Sequence, residues 1–420
     1  MLPTSKTSSS KELAPSRSRQ SMTKQVYFEP AGRIHPAHQV MLSYPPDGYE
    51  FVGADSPWDR SMKTLIRSDL VYHALASAVD RLLPLHLIKA RLEGVLKPSP
   101  RGVDLTYAVN HAVFRREPWV IFLECVTAPA GFTMARLRRR RRMVEQAFAS
   151  SYCRKILVCS ELTQKSVLTS LDCRQFEEKL EVVHFAAPAK DFTKTYHADK
   201  VRLLFLGTAN APGAFELRGG REVLEAFSHL AQRYDNLELV VRSDVPHRIK
   251  AKYQGHVGIR FIEGVIPWGQ LDELCKSADI FLFPAYYSTW MAILDAMSYE
   301  LPVITTDAYA NPEMVQDGIS GFVIETSTIP RWSEGFTPPN TAKDPNYGRA
   351  IRNMDRQIVR GLVDRLSLLI DNPGLRRRMG RAARWEVEEG KFSITRCNLK
   401  LKEIFDEATA QPGAVSFSEG

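Results

Sequence analysis

The sequence predicts an α/β protein made of two doubly wound domains that face each other across a cleft. The chain has 420 residues, which is too long for one ordinary hydrophobic core and suits two domains. Its composition, 44% hydrophobic and 25% charged, is that of a globular protein. Short apolar runs alternate with helix-length segments in two successive series. This alternation is typical of parallel sheets with right-handed crossovers, and a cleft forms where the carboxyl ends of such strands meet.

The first series covers residues 25–195, which form the predicted first domain. Residues 60–93 have a helical pattern, and a helix is predicted over 132–150. The short apolar runs are VMLSY (40–44), which Pro45, Pro46 and Gly48 close, and the buried-strand candidates VDLTYAV (103–109), WVIFLECV (119–126) and KILVCS (155–160).

The second series forms the predicted second domain, residues 196–389. Its predicted strands are VRLLFLG (201–207), LELVVRS (237–243), VGIRFIEG (257–264), DIFLFP (279–284), LPVITTD (301–307) and GFVIE (321–325). Helices are predicted at 219–233, 268–277, 289–299, 356–389 and 392–408. Residues 326–350 are rich in Pro, Thr and Asn and lack an apolar period, so they form a surface insertion or a lid.

The net charge of +8 is concentrated at the amino end. Residues 1–24 hold five basic residues and one acidic residue, so their net charge is +4, which is half of the total net charge. They contain no apolar core. We expect this segment to be a disordered basic tail and neither a signal peptide nor a membrane span. The remainder is only mildly basic, so charge alone does not favour nucleic acid as a partner.

The spacing of the cysteines and the absence of several motifs narrow the range of possible functions. No pair of the six cysteines has a C-x-x-C spacing, so we expect reduced, buried thiols in a cytoplasmic protein. The sequence has no D-x-D, G-x-G-x-x-G, Walker A, G-x-S-x-G or H-E-x-x-H motif. Dehydrogenase, NTPase, hydrolase and zinc-protease functions therefore lack motif support, and we expect neither a metal nor a cofactor.

The segment from Phe283 to Asp307 places a carboxylate in an apolar helix. The strand before it points its carboxyl end into the cleft, and Ser288 or Thr289 is the expected N-cap of the helix. A helix amino terminus at that edge suits an anionic ligand. Asp295 lies about two turns into the helix. It is either a ligand-binding carboxylate or a structural one, and the residues alone leave both interpretations open.

Four segments of the second half are similar to one enzyme family. They are LLFLG (203–207), FELRGGREVLEAF (215–227), LPVITTDAYANPEMVQDGISGFVIE (301–325) and DNPGLRRRMGRAARWEVEEGKFS (371–393). This region resembles the donor domain of the retaining GT-B glycosyltransferases of family 4, which carry the glycosyl transferases group 1 domain. The resemblance implies two Rossmann-like domains, a nucleoside-diphosphate sugar as donor, retention of configuration, and a last segment, 390–420, whose helix packs back on the first domain.

The resemblance also implies which residues bind the donor. Arg218 matches the family's phosphate-binding basic residue, although a solvated loop arginine is the alternative. Gly219 and Gly220 would let the backbone approach the diphosphate, and Gly207 would open space for the same group. Asp295 matches the carboxylate that holds the ribose hydroxyls.

Two positions depart from the family pattern. Tyr287 stands where the first carboxylate of an E-x7-E motif belongs, and it is a candidate catalytic residue that brings no negative charge at neutral pH. Thr208 stands where the family often has a second phosphate-binding arginine. Arg242 is either its replacement or an ordinary arginine at a strand end.

The acceptor is expected on the first domain. Glu124 ends a buried strand where the family often has a sugar-contacting histidine. It is the second candidate catalytic residue, as a contact for sugar hydroxyls or as a base, unless it only pairs locally. The loop at 45–50 is the other expected acceptor element. Ser160 and Glu161 match a turn that caps a helix.

Two arginine-rich segments have two interpretations. The run Arg136–Arg142 holds six arginines, and a second basic helix face comprises Arg376, Arg377, Arg378, Arg381 and Arg384. Each is either a solvated face or, for the first run, a patch that docks on anionic lipid, where a basic residue contributes about 1 kcal/mol. Nucleic acid is disfavoured because aromatic residues are not interleaved. Docking would place the protein at the cytoplasmic face of a membrane.

Two functions follow from these observations. One is a hexosyltransferase-type glycosyltransferase that acts on a glycan, a lipid-linked molecule or a small molecule. The other is a non-catalytic GT-B module that binds a nucleotide or a glycan and serves as an assembly partner, which the tyrosine at position 287 favours.

Overall fold

The computed structural model describes residues 23–30, 36–53, 102–196, 199–207, 213–287, 290–326 and 353–410. Several sequence predictions lie outside these ranges. They are the basic tail up to residue 22, the helical pattern at 60–93, the expected N-cap at Ser288 or Thr289, the position of Thr208, and the insertion from residue 327 onward.

The first domain contains a parallel six-stranded sheet. Its strands are β1 (Lys24–Pro30), β2 (Tyr49–Val52), β3 (Leu105–Val109), β4 (Trp119–Leu123), β5 (Cys153–Val158) and β6 (Leu180–Val182). They pair in the order β2-β1-β3-β4-β5-β6. Every residue of β3 and β4 is buried, which explains why these strands are continuous apolar runs in the sequence.

Three helices of the first domain position the site residues. They are α1 (Pro36–Ser43), α2 (Met134–Ala149) and α3 (Glu161–Ser170). The predicted cap of α3 is confirmed, because the Ser160 hydroxyl accepts a hydrogen bond from the Thr163 N–H at 3.0 Å. Helix α2 packs Leu137, Val144 and Phe148 on one face of the sheet, whereas α1 packs on the other.

The second domain repeats this architecture. Its strands are β7 (Val201–Leu206), β8 (Leu237–Arg242), β9 (Ile259–Ile262), β10 (Ile280–Phe283), β11 (Val303–Thr306) and β12 (Gly321–Ile324). They are parallel and pair in the order β12-β11-β10-β7-β8-β9. The two doubly wound α/β domains predicted from the sequence are therefore confirmed.

Helices cover both faces of the second sheet and continue to the end of the described chain. They are α4 (Ala214–Leu217), α5 (Gly220–Leu230), α6 (His247–Tyr253), α7 (Trp268–Ser277), α8 (Trp290–Ser298), α9 (Asn311–Met314), α10 (Arg356–Asp371), α11 (Pro373–Glu388) and α12 (Ile394–Thr409). Helices α7 and α8 pack on one face and α5 and α10 on the other.

Three local predictions differ from the structure. Most of the apolar run VMLSY (40–44) lies in α1. Strand β1 begins at Lys24, the last residue of the predicted tail, and no apolar pattern in the sequence predicts this strand. The helix predicted at 356–389 is two helices, because Pro373 restricts Asn372 to a non-helical backbone, with φ −122° and ψ 79°.

Helix α12 returns to the first domain. Phe405 packs against Tyr49 and Tyr107, with ring centroids 5.2 and 6.0 Å apart. The Tyr49 hydroxyl donates a hydrogen bond to the Asp406 carboxylate at 2.6 Å. The last described helix of the chain therefore covers the same sheet face as α1.

The segment between β6 and β7, called the linker here because it joins the two domains, is attached to the second domain. The buried Lys194 ammonium donates to the carbonyl groups of Lys276 and Ala278 at the end of α7, and burial lowers its pKa to about 8. Arg384 of α11 donates to the carbonyl groups of Lys190 and Phe192. Arg384 is thus a structural residue and not part of a solvated basic face.

Glu313 of α9 joins the two domains. Its carboxylate accepts hydrogen bonds from the backbone N–H groups of Glu161 at 2.8 Å and Leu162 at 2.9 Å, in the first turn of α3. These N–H groups have no partner inside the helix, and the carboxylate lies at the positive end of the helix dipole. A residue that follows β11 therefore caps a helix that follows β5.

Trp290, the first residue of α8, forms a second contact between the domains. Its ring centroid lies 6.0 Å from that of His184, 5.9 Å from Phe185 and 6.2 Å from Phe392. Because α8 follows β10, and His184 follows β6, the carboxyl edges of the two sheets adjoin at this point.

None of the described helices is both long and apolar enough to cross a bilayer.

Replacing Glu313 tests how strongly the interdomain cap holds the domains together. Glu313→Ala removes two charge-assisted hydrogen bonds, so we expect the free energy of unfolding to fall by about 2 kcal/mol and the radius of gyration in solution to increase. Thermal unfolding and small-angle X-ray scattering measure the two effects. Glu178→Ala, at an exposed position of the first domain, is the control. An unchanged radius together with an unchanged thermal midpoint would contradict the prediction.

Candidate functional site

The turn between α4 and α5 lies at the carboxyl edge of the second sheet. Gly219 is the N-cap of α5 with φ 77°, a left-handed conformation that favours glycine. A Cβ atom at this position would lie 2.2 Å from the carbonyl oxygen of Pro284. The backbone at the start of α5 therefore packs directly against the end of β10, and Gly220 packs equally closely against the Phe215 ring.

Arg218 lies immediately before this helix start. One guanidinium nitrogen donates to the Leu206 carbonyl at 3.1 Å, and the guanidinium carbon lies 5.4 Å from the centroid of the Phe283 ring. Its Nε is buried, and no hydrogen bond within the described residues reaches it. Arg218 is therefore half-buried at the end of β7 and is not a solvated loop residue.

Arg242, at the end of β8, lies beside Arg218. Its guanidinium donates to the carbonyl groups of Gly207 and Gly264, both at 3.0 Å. Burial lowers the pKa of Arg242; the negative charge of Asp244 opposes this effect, and the positive charge of Arg218 adds to it. The ends of β7 and β8 thus bring two cations close together, and Arg218 of this pair lies immediately before the amino terminus of α5.

Gly207 has a packing reason of its own. A Cβ atom at Gly207 would lie 1.9 Å from the Ser243 hydroxyl oxygen, so the end of β8 approaches β7 too closely for a side chain. The absence of a side chain at Gly207 therefore allows the ends of β7 and β8 to pack closely beside the two arginines.

The segment after β10 is fixed by a buried tyrosine. The Tyr286 N–H donates to the Leu217 carbonyl at 2.9 Å, and its hydroxyl donates to the Glu222 carboxyl at 2.6 Å. The next residue, Tyr287, is partly exposed and packs against the core of the second domain. Tyr287 and Arg218 therefore sit on two segments that are hydrogen-bonded to each other.

Asp295 lies on α8 in a different environment. Burial raises the pKa of its carboxyl, and the positive charge of Lys190 in the linker partly opposes this. Its charge in turn raises the pKa values of Cys275 and Tyr299, after the larger effect of burial. Between described residues no hydrogen bond or ion pair joins Asp295 to Arg218, so their common role in a donor site remains a prediction.

Glu124 follows β4 at the carboxyl edge of the first sheet. Its N–H donates to the Asn110 side chain at 3.0 Å, and its carbonyl oxygen accepts from the Cys159 thiol at 3.6 Å. Its carboxylate lies 3.5 Å from Nε2 of His38 in α1. Three consecutive strands and one helix therefore define the position of Glu124.

A partly buried ion-pair network lies at the same edge. Glu29 of β1 pairs with Arg115, and its carboxylate lies 3.5 Å from Nε2 of His111. Nδ1 of His111 donates to the Val109 carbonyl at 3.0 Å. Burial raises the pKa of Glu29, but the hydrogen bonds from His111 and Arg115 outweigh it and lower the pKa to about 2.

Sequence reasoning missed the histidines of this edge. His184 follows β6, donates from Nδ1 to the Cys159 carbonyl at 3.1 Å and contacts Trp290 of the second domain. Burial lowers its pKa. No motif marks His38, His111 or His184. His111 lies two residues beyond the buried strand β3, which is a signal that was available in the sequence, whereas His184 follows the short, partly exposed strand β6, which the sequence pattern did not predict.

The loop at 45–50 does not share an edge with Glu124. It precedes β2, and its Gly48 carbonyl accepts from the N–H of Lys24 at the start of β1. In a parallel sheet the segment before a strand lies at the amino edge, opposite the carboxyl edge. The expectation that this loop joins Glu124 at an acceptor site is therefore wrong.

The arginine run on α2 is divided by the fold. Arg136 and Arg140 donate to the carbonyl groups of Gly131 and Ala130, and Arg140 is buried. Arg138, Arg139, Arg141 and Arg142 are exposed, and Arg141 pairs with Glu145. On α11, Arg376 is buried and donates to the Leu369 carbonyl, whereas Arg377, Arg378 and Arg381 are exposed.

The described residues contain no group of three or more His, Cys, Asp or Glu side chains arranged to hold a metal ion.

Comparisons with known proteins agree with the fold. Residues 200–335 match the family model described as glycosyl transferases group 1. No curated protein matches the chain at significant similarity. Among solved structures, HepE from Anabaena in complex with UDP and glucose is 14% identical, with 91% of this chain and 99% of that chain covered and a TM-score of 0.55.

Two further structures are similar to the same extent. HepE in complex with UDP-glucose has a TM-score of 0.53 at 14% identity, over 91% of this chain and 99% of that chain. A glycosyltransferase from Rickettsia africae has a TM-score of 0.55 at 13% identity, with 92% of this chain and 98% of that chain covered. At such identities the likeness shows the fold, which is GT-B. The family-model match in the second domain supports a glycosyltransferase of this type.

Glu222 of α5 gives the site a pH-dependent stability. It is buried and accepts hydrogen bonds from the Tyr286 hydroxyl and the Asp355 N–H, and burial raises its pKa. The native state therefore binds an extra proton above the unfolded pKa, and this carboxyl lowers stability as pH rises toward its folded pKa. We expect Glu222→Gln to raise the thermal midpoint at about pH 8 and to change it little at about pH 5.

Glu225 on the same helix is the matched control. Hydrogen bonds from Tyr253 and Lys252 lower its pKa, so it stabilises the native state above the unfolded pKa. We expect Glu225→Gln to lower the midpoint at the higher pH, which is the opposite sign. A Glu222→Gln variant that is less stable than the wild type at the higher pH would contradict the assignment.

Proposed function

We propose that this protein transfers a sugar from a nucleoside-diphosphate sugar to a hydroxyl group of an acceptor. The observation that carries the proposal is the pair Arg218 and Arg242 beside the amino terminus of α5, at the carboxyl edge of the second sheet. The match of residues 200–335 to the glycosyl transferases group 1 model supports it. Such a cluster stabilises the charge that develops on a diphosphate when it leaves the sugar.

The donor would bind with its diphosphate between the two guanidinium groups and the backbone N–H of Gly220, with Gly219, whose own N–H donates to the Glu216 carbonyl at 3.0 Å, shaping the turn beside it. Each guanidinium already uses some donors on backbone carbonyl groups, which fixes its position before a ligand arrives. Because HepE was solved with UDP and with UDP-glucose, UDP-glucose is the first donor to test.

Asp295 and Tyr287 complete the proposed donor site. Asp295 would hold the ribose hydroxyls, and Tyr287 would hydrogen-bond the transferred sugar as a candidate catalytic residue. Transfer of a hexose with retention of configuration, as in family 4, belongs to this proposal. A tyrosine supplies no negative charge to the sugar carbon, so stabilisation there would come from the leaving diphosphate itself.

The acceptor would bind at the carboxyl edge of the first sheet, beside Glu124. A glycan, a lipid-linked molecule and a small molecule all present the hydroxyl groups that a carboxylate accepts from. Closure of the two domains would exclude water and suppress hydrolysis of the donor.

A second candidate function is a non-catalytic module that binds a nucleotide or a glycan. Tyr287, in place of a carboxylate, is the observation that favours it. Donor binding without any release of UDP would support the module, whereas turnover that depends on Arg218 would support the enzyme.

Peripheral membrane contact would use α2 of the first domain. Arg138, Arg139 and Arg142 are exposed along one stripe of the helix, and Phe132, exposed by 40%, precedes its N-cap. A basic stripe next to an aromatic side chain fits an anionic bilayer surface and would bring the protein to a lipid-linked acceptor.

Removal of either arginine is expected to weaken donor binding. Arg218→Ala and Arg242→Ala each remove charge-assisted hydrogen bonds to the diphosphate. We expect a loss of about 2 kcal/mol, or roughly thirtyfold in the Kd for UDP-glucose. Calorimetric titration measures the affinity, and release of UDP measures turnover. Arg233→Ala, exposed near the other end of α5, is the control. Folded variants that bind UDP-glucose as tightly as the wild type would refute the assigned donor site.

Exchange of the stripe on α2 tests the membrane contact. Arg138→Gln, Arg139→Gln and Arg142→Gln together should weaken binding to phosphatidylglycerol-containing vesicles by about 3 kcal/mol, or roughly a hundredfold. Vesicle pelleting at low and high salt measures it. The triple variant Arg377→Gln, Arg378→Gln and Arg381→Gln on α11 removes the same charge from the other basic surface and should change binding little. Vesicle binding that depends on neither the anionic lipid content nor the salt concentration would contradict the proposed membrane contact.

A further inference from the structure

The most exposed apolar side chains of the second domain lie around one strand. Among the large apolar side chains of the described residues, the three with the highest exposed fractions are Val257 at 91%, Val265 at 77% and Trp268 at 70%. Val257 precedes β9, whereas Val265 follows it and Trp268 begins α7. Single exposed apolar residues are common on a protein surface, but a group of them beside one element indicates a contact surface.

Strand β9 is the last strand of its sheet and pairs with β8 alone among the described strands. The carbonyl groups of Gly258 and Ile262 accept hydrogen bonds from the N–H groups of Leu239 and Ser243, in and just after β8. Because backbone groups alternate in direction along a strand, the N–H and C=O groups of Phe261 point away from β8. The edge of β9 therefore presents a donor and an acceptor that can pair with another strand.

Both ends of β9 are held in fixed turns. Gly258 and Gly264 adopt left-handed φ values of 90° and 73°. A Cβ atom on Gly258 would lie 2.9 Å from the Leu237 carbonyl oxygen. The Gly264 carbonyl accepts from Arg242 at 3.0 Å, and its N–H donates to the Asp244 carboxylate at 2.9 Å. The exposed valines beside these glycines therefore lie on a rigid edge, which lowers the conformational entropy that a contact costs.

The sequence around β9 is nearly the same when it is read from either end. Residues 257–265 are VGIRFIEGV, so valine and glycine occupy the first two and the last two places in mirror order, and Phe261 is the central residue. A two-fold symmetric contact places residue i of one copy against residue j of the other, and j against i. A two-fold axis at Phe261 therefore sets Val257 of one copy beside Val265 of the other, twice in the same dimer.

Backbone direction and charge select this register. The outward groups of Phe261 pair only with outward groups of the other strand, so the axis falls on residue 260, 261 or 262. An axis at residue 260 would oppose two exposed Arg260 side chains, and one at residue 262 would oppose Phe261 to the Glu263 carboxylate. With the axis at residue 261, Arg260 lies opposite Ile262 and Glu263 lies opposite Ile259, so no like charges are directly opposed.

We propose that β9 is the contact surface for a second copy of this chain, in a two-fold dimer whose two β9 strands pair antiparallel about Phe261. The sheets of the two second domains then form one continuous sheet. Trp268 lies at the same end of β9 as Val265, so it adds apolar area beside Val257 of the second copy. The self-complementary order of residues 257–265 identifies the partner, and the proposal does not depend on the sugar transfer proposed above.

The oligomeric state of the full chain tests the contact. Sedimentation equilibrium over a range of concentrations should show a reversible dimer. Val257→Asp should raise the Kd of the dimer about a hundredfold, because the carboxylate enters the contact twice, at about tenfold each time. Leu399→Asp places the same charge at an exposed leucine of α12 and should leave this Kd unchanged. At concentrations where both are monomeric, Val257→Asp should keep the wild-type thermal midpoint, since Val257 is almost fully exposed.

Cysteine variants test the register. A mixture of Val257→Cys and Val265→Cys should be joined by a short bismaleimide reagent. The two positions lie about 26 Å apart along one chain, at about 3.3 Å per residue, so this cross-link forms between copies. Neither variant should cross-link by itself, because the axis separates identical positions by a similar distance. The wild type is the control, since Cys397 is partly exposed and the other five cysteines are buried.

Several results would overturn the proposal. A chain that stays monomeric up to about 100 µM would exclude the second copy and leave the edge to an extended segment of another protein. A dimer that Val257→Asp does not weaken, or that Leu399→Asp weakens equally, would place the contact on another surface. Cross-linking of either cysteine variant with itself, or a dimer without cross-linking in the mixture, would exclude the axis at Phe261. Dimer loss in Val257→Asp, together with cross-linking in the mixture alone, would support it.

Discussion

The parallel arrangement of strands is the constraint on which the rest of this structure depends. All strands in a parallel sheet end at the same edge, so the residues that follow them gather there whatever their separation in sequence. Arg242 follows β8, Arg218 lies between α4 and α5 after β7, and Tyr287 follows β10. Glu124 follows β4 in the first sheet. The interior of a buried strand does not tolerate charged side chains. The strands therefore carry apolar residues inside the sheet and place charged and polar side chains at its edge.

The contacts between the domains use this same edge. Glu313 caps α3, and Trp290 contacts His184 and Phe185, so segments after β11, β10, β5 and β6 meet. An interdomain carboxylate that satisfies free helix N–H groups is a contact with defined geometry, and it is also breakable, because water can replace it. The linker, by contrast, is attached through buried lysine and arginine hydrogen bonds to the second domain.

The electrostatics of the two edges differ. The second domain presents two guanidinium groups close enough for the charge of one to lower the pKa of the other, an arrangement that an anionic ligand relieves. In the first domain Glu29 pairs with Arg115 and His111, and the Glu124 carboxylate lies 3.5 Å from Nε2 of His38. On this ground we propose that a dianionic donor binds the second domain and a neutral hydroxyl-bearing acceptor binds the first. This asymmetry is the physical argument for dividing donor and acceptor between the domains.

The sequence by itself determined the two α/β domains with parallel strands, the strands β3, β4 and β5 of the first domain, every strand of the second domain, and the helices around Gly220–Leu230 and Trp268–Ser277. Apolar periodicity and turn residues are local signals, which is why these elements were predictable. The sequence also pointed to Arg218 through the glycines beside it. Only the tertiary structure decided that Arg242 lies beside Arg218, that His38 lies 3.5 Å from Glu124, that Lys190 acts on the charge of Asp295, and that the loop at 45–50 lies at the opposite edge. These facts depend on strand order and on which end of each strand a segment follows. Neither is encoded in local spacing, since residues far apart in the chain become neighbours only when the sheet assembles.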